Sequence, residues 1–280
     1  MNGFLLLNKP QNITSNKALQ HIKKRLSLNK VGHLGTLDPM ATGLLVLAVD
    51  RATKFSSYFL NSDKSYDVEI QLGAFTNTDD AMGEIIEEYN LNICEKKLKS
   101  TLDSFVGESF QKPPYFSALK HKGKPLYKYA RQGININKDP RKIIIHSIEN
   151  FKFSKNICSF RIFCSKGTYI RSIARDLGVE MKCGGYLRSL SRIKQDTFSI
   201  SNSYELDDLQ IEHLININEA FKQYEKIKLD EYDTKAIKTG LKVRFVEHFE
   251  SNGVYRIFSN DDFLGCVEID NFSIKSKQLV

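Results

Sequence analysis

Apolar residues along this chain follow two rhythms. FLLLNK (4–9) and LLVLAV (44–49) are apolar runs of strand length. YDVEIQLG instead alternates Tyr66, Val68, Ile70 and Leu72 with Asp67, Glu69 and Gln71, which predicts a half-buried strand. KIIIHSIENFKFS and ICSFRIFCS flank a polar turn at Lys155 and Asn156 and predict a hairpin. A helical period appears in SNKALQHIKKRL, which opens on Ser15, read as the N-cap, and puts Ala18, Leu19, Ile22 and Leu26 on one stripe with its cations outward. EKKLKSTLDSFVG stripes Leu98, Leu102 and Phe105 and is expected to stop at Gly107. KGTYIRSIARDLG turns Ile170, Ile173, Ala174 and Leu177 inward and is expected to end at Gly178. After about residue 226 the chain changes to short β-like pieces, including GVYRIF and FLGCVEI joined through SNDD. No helix alternates regularly with strands, so the elements predict an α+β fold: a mixed, largely antiparallel sheet with flanking helices over residues 1–226, then a small β-rich domain over 227–280.

Composition narrows the function. Of 280 residues, 41 are Lys or Arg and 33 Asp or Glu, a net charge of +8 that favours a polyanionic partner. No stretch reaches the roughly 18 apolar residues of a membrane span, and no signal segment opens the chain. A cytoplasmic protein is expected. Five scattered cysteines and six scattered histidines show no ligand spacing, so neither a disulfide framework nor a metal site is expected. Neither a Walker A loop nor a GxGxxG turn occurs, so no nucleotide or dinucleotide cofactor is expected. The cations gather in three tracts: residues 1–60; KHKGKPLYKYARQ, which interleaves Tyr127 and Tyr129; and a group holding Arg161, Lys166, Arg171, Arg175, Arg188 and Arg192. Cations interleaved with flat rings suit an RNA surface, which needs charge for phosphates and rings for unstacked bases.

Within the first basic tract lies GHLGTLDPMATGLL, where Asp38 is flanked by Gly35 and Gly43 and followed by Pro39. Proline biases Asp38 toward an extended backbone, and the glycines permit sharp turns or close approach. Taken alone, an aspartate before proline reads as a turn residue bonding its own backbone. SALK (117–120), SKN (154–156) and KTG (238–240) also occur in the order of serine acyl-enzymes, but Gly123 and Pro125 interrupt the helix such a serine requires.

Seven ordered segments resolve the ambiguity: LLLNKPQNITSN, GHLGTLDPMATGLL, ATKFSSYFLNSDKSYDV, LGAFTNTDDAMGEI, PPYFSALKHKGKPLYKYARQG, CSKGTYIRSIARDLG and CGGYLRSLSRI. Together they resemble the TruB family of tRNA pseudouridine synthases over about residues 4–193. The resemblance implies isomerisation of uridine 55 in the tRNA T loop without a cofactor, the T stem-loop as partner and a monomer. It implies Asp38 as the catalytic aspartate, a nucleophile or the group that takes a sugar proton, and Arg171 as its basic partner. Tyr66 would stack on the target base and is a candidate general base or relay. Tyr169 and Leu190 would contact the uridine, His33 would help extrude it, and Lys9 would support phosphate binding or loop structure. Asn12 stands where the family usually has glycine, a place for positive φ. The terminal region resembles a PUA-like domain, whose Lys235, Lys238, Lys242 and Arg244 could reach the acceptor stem. The same basic surface would also serve a noncatalytic tRNA-binding or folding module.

Overall fold

The computed structural model describes residues 1–134, 136–241, 243 and 252–280. Its main sheet contains β1 (Gly3–Lys9), β2 (Val31–His33), β3 (Thr42–Val49), β4 (Lys64–Leu72), β5 (Gly107–Gln111), β6 (Arg141–Ser154), β7 (Ile157–Cys164), β8 (Gly185–Gln195) and β9 (Ile215–Asn216). The order is β9-β1-β3-β8-β4-β7-β6-β5, with β2 paired to β3 and the short strand Phe198–Ser199 to β8. Among the described residues, the β3–β8 step is this sheet's one parallel pairing, joining Ser191 to Thr42 and Arg192 to Gly43.

Burial explains the two apolar rhythms. Strands β1 and β3 are covered on both faces. Leu5, Leu7, Leu45, Leu47 and Val49 enter one core, whereas Phe4, Leu6, Leu44, Val46 and Ala48 enter another. With both faces dry, the runs are continuous rather than alternating. Strand β4 is covered on one face only, so Val68 and Ile70 are buried while Asp67 and Glu69 keep access to water. The second core is aromatic: the Phe59 ring lies 5.0 Å from Phe4, 4.9 Å from Phe198 and 5.0 Å from Phe221.

Three helices, α1 (Ser15–Arg25), α2 (Glu95–Asp103) and α3 (Ile170–Glu180), add their apolar stripes to the first core. Each departs from expectation at one end. The N-cap of α1 is Thr14, whose side chain accepts from Lys17 N–H; Ser15 is buried and bonds elsewhere. Helix α2 finishes at Asp103, and Gly107 opens β5 at φ +110 instead of capping the helix. Helix α3 runs through Gly178, where a Cβ would sit 2.3 Å from Gly185 N. That glycine allows close packing on the start of β8 and does not end the helix. The hairpin between β6 and β7 turns at Lys155 and Asn156, both at positive φ, as a tight hairpin turn requires.

A second sheet, β10 (Lys226–Leu229), β11 (Gly253–Ser259), β12 (Asp262–Asp270) and β13 (Ser273–Leu279), pairs in that order and packs under α4 (Glu231–Thr239). Cys266, Val254 and Phe263 reach from it into the aromatic core, and Arg256 Nη1 donates to Asn218 Oδ1 at 2.9 Å. Strands β11 and β12 match the expected pair; β10, β13 and α4 were not anticipated. Among the described residues, no helix is long and apolar enough to cross a membrane.

Gly43 marks the tightest place in the frame. It lies at φ +97, and a Cβ there would meet Arg192 O at 2.4 Å. Gly43→Ala is expected to destabilise the fold by more than about 1 kcal/mol, read as a lower urea midpoint at unchanged slope.

Candidate active site

The segment from Leu34 to Ala41 is irregular, so its backbone groups lack a ladder and need other partners. Buried side chains from three elements supply them. Ser15 Oγ, at the start of α1, donates to Leu37 O at 2.9 Å and accepts from Leu37 N at 2.8 Å. Lys9 Nζ, at the end of β1, donates to Pro10 O and Ile13 O at 2.8 Å and to Pro39 O at 3.4 Å. Asn12 N also reaches Pro39 O, and Asn12 itself sits at φ 65, the positive angle expected of it. From β8, Arg192 donates to Leu44 O at 2.7 Å and Gly35 O at 3.1 Å, and Gln195 Nε2 donates to Leu34 O and to Phe59 O. The loop is thereby pinned on both sides of Asp38.

The carboxylate meets Arg171 Nε at 2.9 Å. Arg171 is 5% exposed, and its other nitrogens are also engaged: Nη1 lies 3.5 Å from Asp80 Oδ2 and 3.3 Å from Thr78 O, and Nη2 donates to Phe116 O at 2.9 Å. Asp80 is held in turn by Thr78 Oγ1 and Met82 N. A buried guanidinium requires such complete satisfaction. Asp38 feels opposing influences. Burial pushes its carboxyl above the ordinary value, with Asp80 adding repulsion, while Arg171 and then Lys9 pull it down. The upward push prevails, although the side chain keeps 37% of its surface open to the cleft.

That cleft, with a volume of ≈ 270 Å³, is lined by Asp38, Tyr66, Tyr169, Arg171, Leu190 and Ser117, among others. It therefore brings together five of the residues picked from sequence: Asp38, Tyr66, Tyr169, Arg171 and Leu190. A larger depression of ≈ 710 Å³ includes Ser65, Arg161 and Lys194. Ser65 alternates with Tyr66 along β4, so this depression belongs to the opposite, polar face of the sheet, away from Asp38. Tyr66 hydrogen-bonds Arg192, and burial pushes its phenol up to about 12. The shift is away from the ionised form, so the phenolate is not available near neutral pH. Action as a base is confined to an acidic proton presented by the substrate. Tyr169 is clamped through its backbone by Gln111, whose amide donates to Tyr169 O at 3.1 Å and accepts from Tyr169 N at 2.8 Å; the Arg141 guanidinium lies 5.2 Å from its ring centre.

His33 ends β2 next to the pinned loop and is not among the cleft-lining residues. Burial, with Arg192 nearby, lowers its pKa, so the imidazole is neutral at pH 7. Lys9 is fully buried, and its ammonium, brought down to about 8 by burial, is engaged with backbone carbonyls. Of the two expectations for Lys9, loop structure fits and phosphate binding does not. The third basic tract also needs correction as an RNA-facing group: Arg171 and Arg192 are buried, and Arg161 is paired bidentately with Asp67, whereas Lys166 and Arg188 are exposed. The acyl-enzyme alternative fails on geometry. Ser117 Oγ has no hydrogen-bond partner, and Lys120 belongs to a short strand, so no base activates the hydroxyl.

Several supporting residues escaped the sequence reading: Ser15, Lys64, Asp80, Gln111 and Gln195. Lys64 donates to the carbonyls of Phe59, Leu60 and Ser62 beneath the cleft. Strand alternation could have found Arg192, which falls two residues after Leu190 and so shares its face. Among the described residues, no group of three or more His, Cys, Asp or Glu side chains is placed to hold a metal ion.

Comparison with known proteins agrees with this arrangement. The family model described as TruB family pseudouridylate synthase (N terminal domain) matches residues 23–170. The chain is 40% identical over 273 residues to the tRNA pseudouridine synthase B of Clostridium tetani, covering 95% of this chain and 94% of the relative. It is 39% identical over 287 residues to the protein of the same name from Azoarcus sp., covering 100% and 95%. In fold it is similar to a chain in the crystal structure of a Cbf5-Nop10-Gar1 complex, with a TM-score of 0.74 at 22% identity over 99% of this chain and 82% of that one. On a match that takes in Asp38 and ends at the start of α3, and on relatives aligned over nearly its full length, the chain belongs to the TruB family of pseudouridine synthases.

Proposed function

We propose that the protein isomerises uridine to pseudouridine in tRNA, acting on position 55 of the T loop, with Asp38 as the catalytic carboxylate. The observation that carries this reading is the Asp38–Arg171 pair at the mouth of a cleft walled by Tyr66, Tyr169 and Leu190. The reaction breaks the N1–C1′ bond, turns the base and joins C5 to C1′. A proton leaves C5 and one arrives at N1, so nothing is gained or lost. Asp38 acts on the sugar, either as a nucleophile at C1′ or by taking a sugar proton. Both roles need the carboxylate ionised and aimed, which is what Arg171 provides. A binding-only module has no use for a carboxylate held this way.

The uridine must leave the stack to reach Asp38. Tyr66 stacks on its base, Tyr169 and Leu190 bound the site, and the neutral ring of His33 assists extrusion. Phosphates are met by the exposed cations of α1, Lys17 and Lys24, and by Lys122, Lys124, Lys128 and Arg131 in the second basic tract. Residues 227–280 form an RNA-contacting unit packed on the main sheet, in which exposed Lys235 and Lys238 face the rest of the tRNA; Lys242 and Arg244 lie outside the described residues. The protein acts in the cytoplasm, where its substrate is, and as a monomer.

Asp38→Asn is expected to bind tRNA within about twofold of wild type and to lose at least about a thousandfold in single-turnover rate on T stem-loop RNA. A variant that turned over normally would remove Asp38 from the mechanism. The rate falls as pH drops through the pKa of Asp38, because only the ionised form works. Arg171 lowers that pKa, so in Arg171→Met the acid limb of the pH–rate profile moves to higher pH. The same variant loses about 3 kcal/mol of stability by urea titration, since Asp80 is left buried without its cation.

A further inference from the structure

Among the described residues, five buried side-chain atoms have no hydrogen-bond partner: His33 Nδ1, Tyr58 Oη, Ser117 Oγ, Gln195 Oε1 and Thr234 Oγ1. Of these residues, only Ser117 lines the Asp38 cleft. It is 3% exposed, so water does not compensate its hydroxyl. Such a group is costly in the free protein and calls for an explanation, of which an absent ligand is one.

The segment carrying Ser117 is fastened in place. Arg171 Nη2 donates to Phe116 O at 2.9 Å, and Tyr127 N donates to Ser117 O at 3.0 Å. One guanidinium therefore holds both the Asp38 carboxylate and the residue preceding Ser117, which sets the Ser117 backbone at a defined place relative to the acid. Several other polar side chains of the cleft are already occupied. Lys64 and Arg192 are bonded to carbonyls, and Thr168 Oγ1 donates to Ser165 O at 2.9 Å. A uracil drawn into this cleft has two carbonyl oxygens stripped of water, and each needs a donor.

We propose that Ser117 Oγ donates a hydrogen bond to a carbonyl oxygen of the bound uracil and so fixes the orientation of the base over Asp38. This rests on the isomerisation of an extruded uridine proposed above. It makes Ser117 a substrate-contacting residue, and the contact forms only when the nucleotide is in place. Substrate binding thereby relieves a group that is unsatisfied in the free protein.

Ser117→Ala separates this role from a structural one, because the two predict opposite signs. For a substrate contact, kcat/KM on T stem-loop RNA falls about tenfold, while the melting temperature of the free protein stays unchanged or rises. RNAs with 2-thiouridine or 4-thiouridine at the target position identify the accepting atom. Sulfur at the contacted position slows wild type but adds nothing in Ser117→Ala, a non-additive cycle. Unchanged kcat/KM, a melting temperature lowered by several degrees, or two thio substrates that slow the variant as much as wild type would each overturn the proposal. Absence of pseudouridine from the wild-type reaction would indict the assigned activity instead, so the two failures are distinguishable.

Discussion

A carboxylate withdrawn from water stays ionised only beside a fixed positive charge, and the rest of this site follows from that requirement. Arg171 supplies the charge to Asp38 and is itself buried, so it needs partners on every nitrogen. Asp80, Thr78 O and Phe116 O meet that need. Satisfying one ion in this way recruits the Thr78–Met82 turn and the segment carrying Ser117 into a single hydrogen-bonded assembly. The acid is aimed because its partner cannot move.

The positive charge of the protein is used in two ways. Exposed cations on α1 and in the second basic tract attract phosphate, with an affinity that salt weakens. Lys9, Lys64 and Arg192 are instead folded inside, where they bind backbone carbonyls that no ladder satisfies. Their burial has an electrostatic consequence: Lys9 offsets part of the burial that raises Asp38, and Arg192 adds to the burial that lowers His33. The composition alone cannot divide the two populations, since a lysine in a basic tract has the same sequence signature whether it faces water or a loop.

The same distinction separates what could be read from the residues and what could not. The strands were readable because burial on one face or two leaves different patterns, and Asp38, Arg171, Tyr66, Tyr169 and Leu190 stand out because they lie in ordered family segments; the structure then brings them to one cleft. Helix ends were less secure. Gly178 looks like a stop, yet serves a close packing with Gly185 that depends on residues folding back from β8. Ser15 looks like a cap, yet bonds Leu37 across the structure. Ser15, Gln111 and Gln195 act through contacts between segments far apart in the chain, and no local periodicity encodes such contacts.

The parallel step between β3 and β8 has a temporal meaning. Arg192 reaches back to Leu44 and Gly35 across 148 and 157 residues, so the loop around Asp38 cannot be locked until nearly all of the main sheet exists. The geometry around Asp38 is therefore a product of the whole sheet: it is complete only once β8 has docked beside β3.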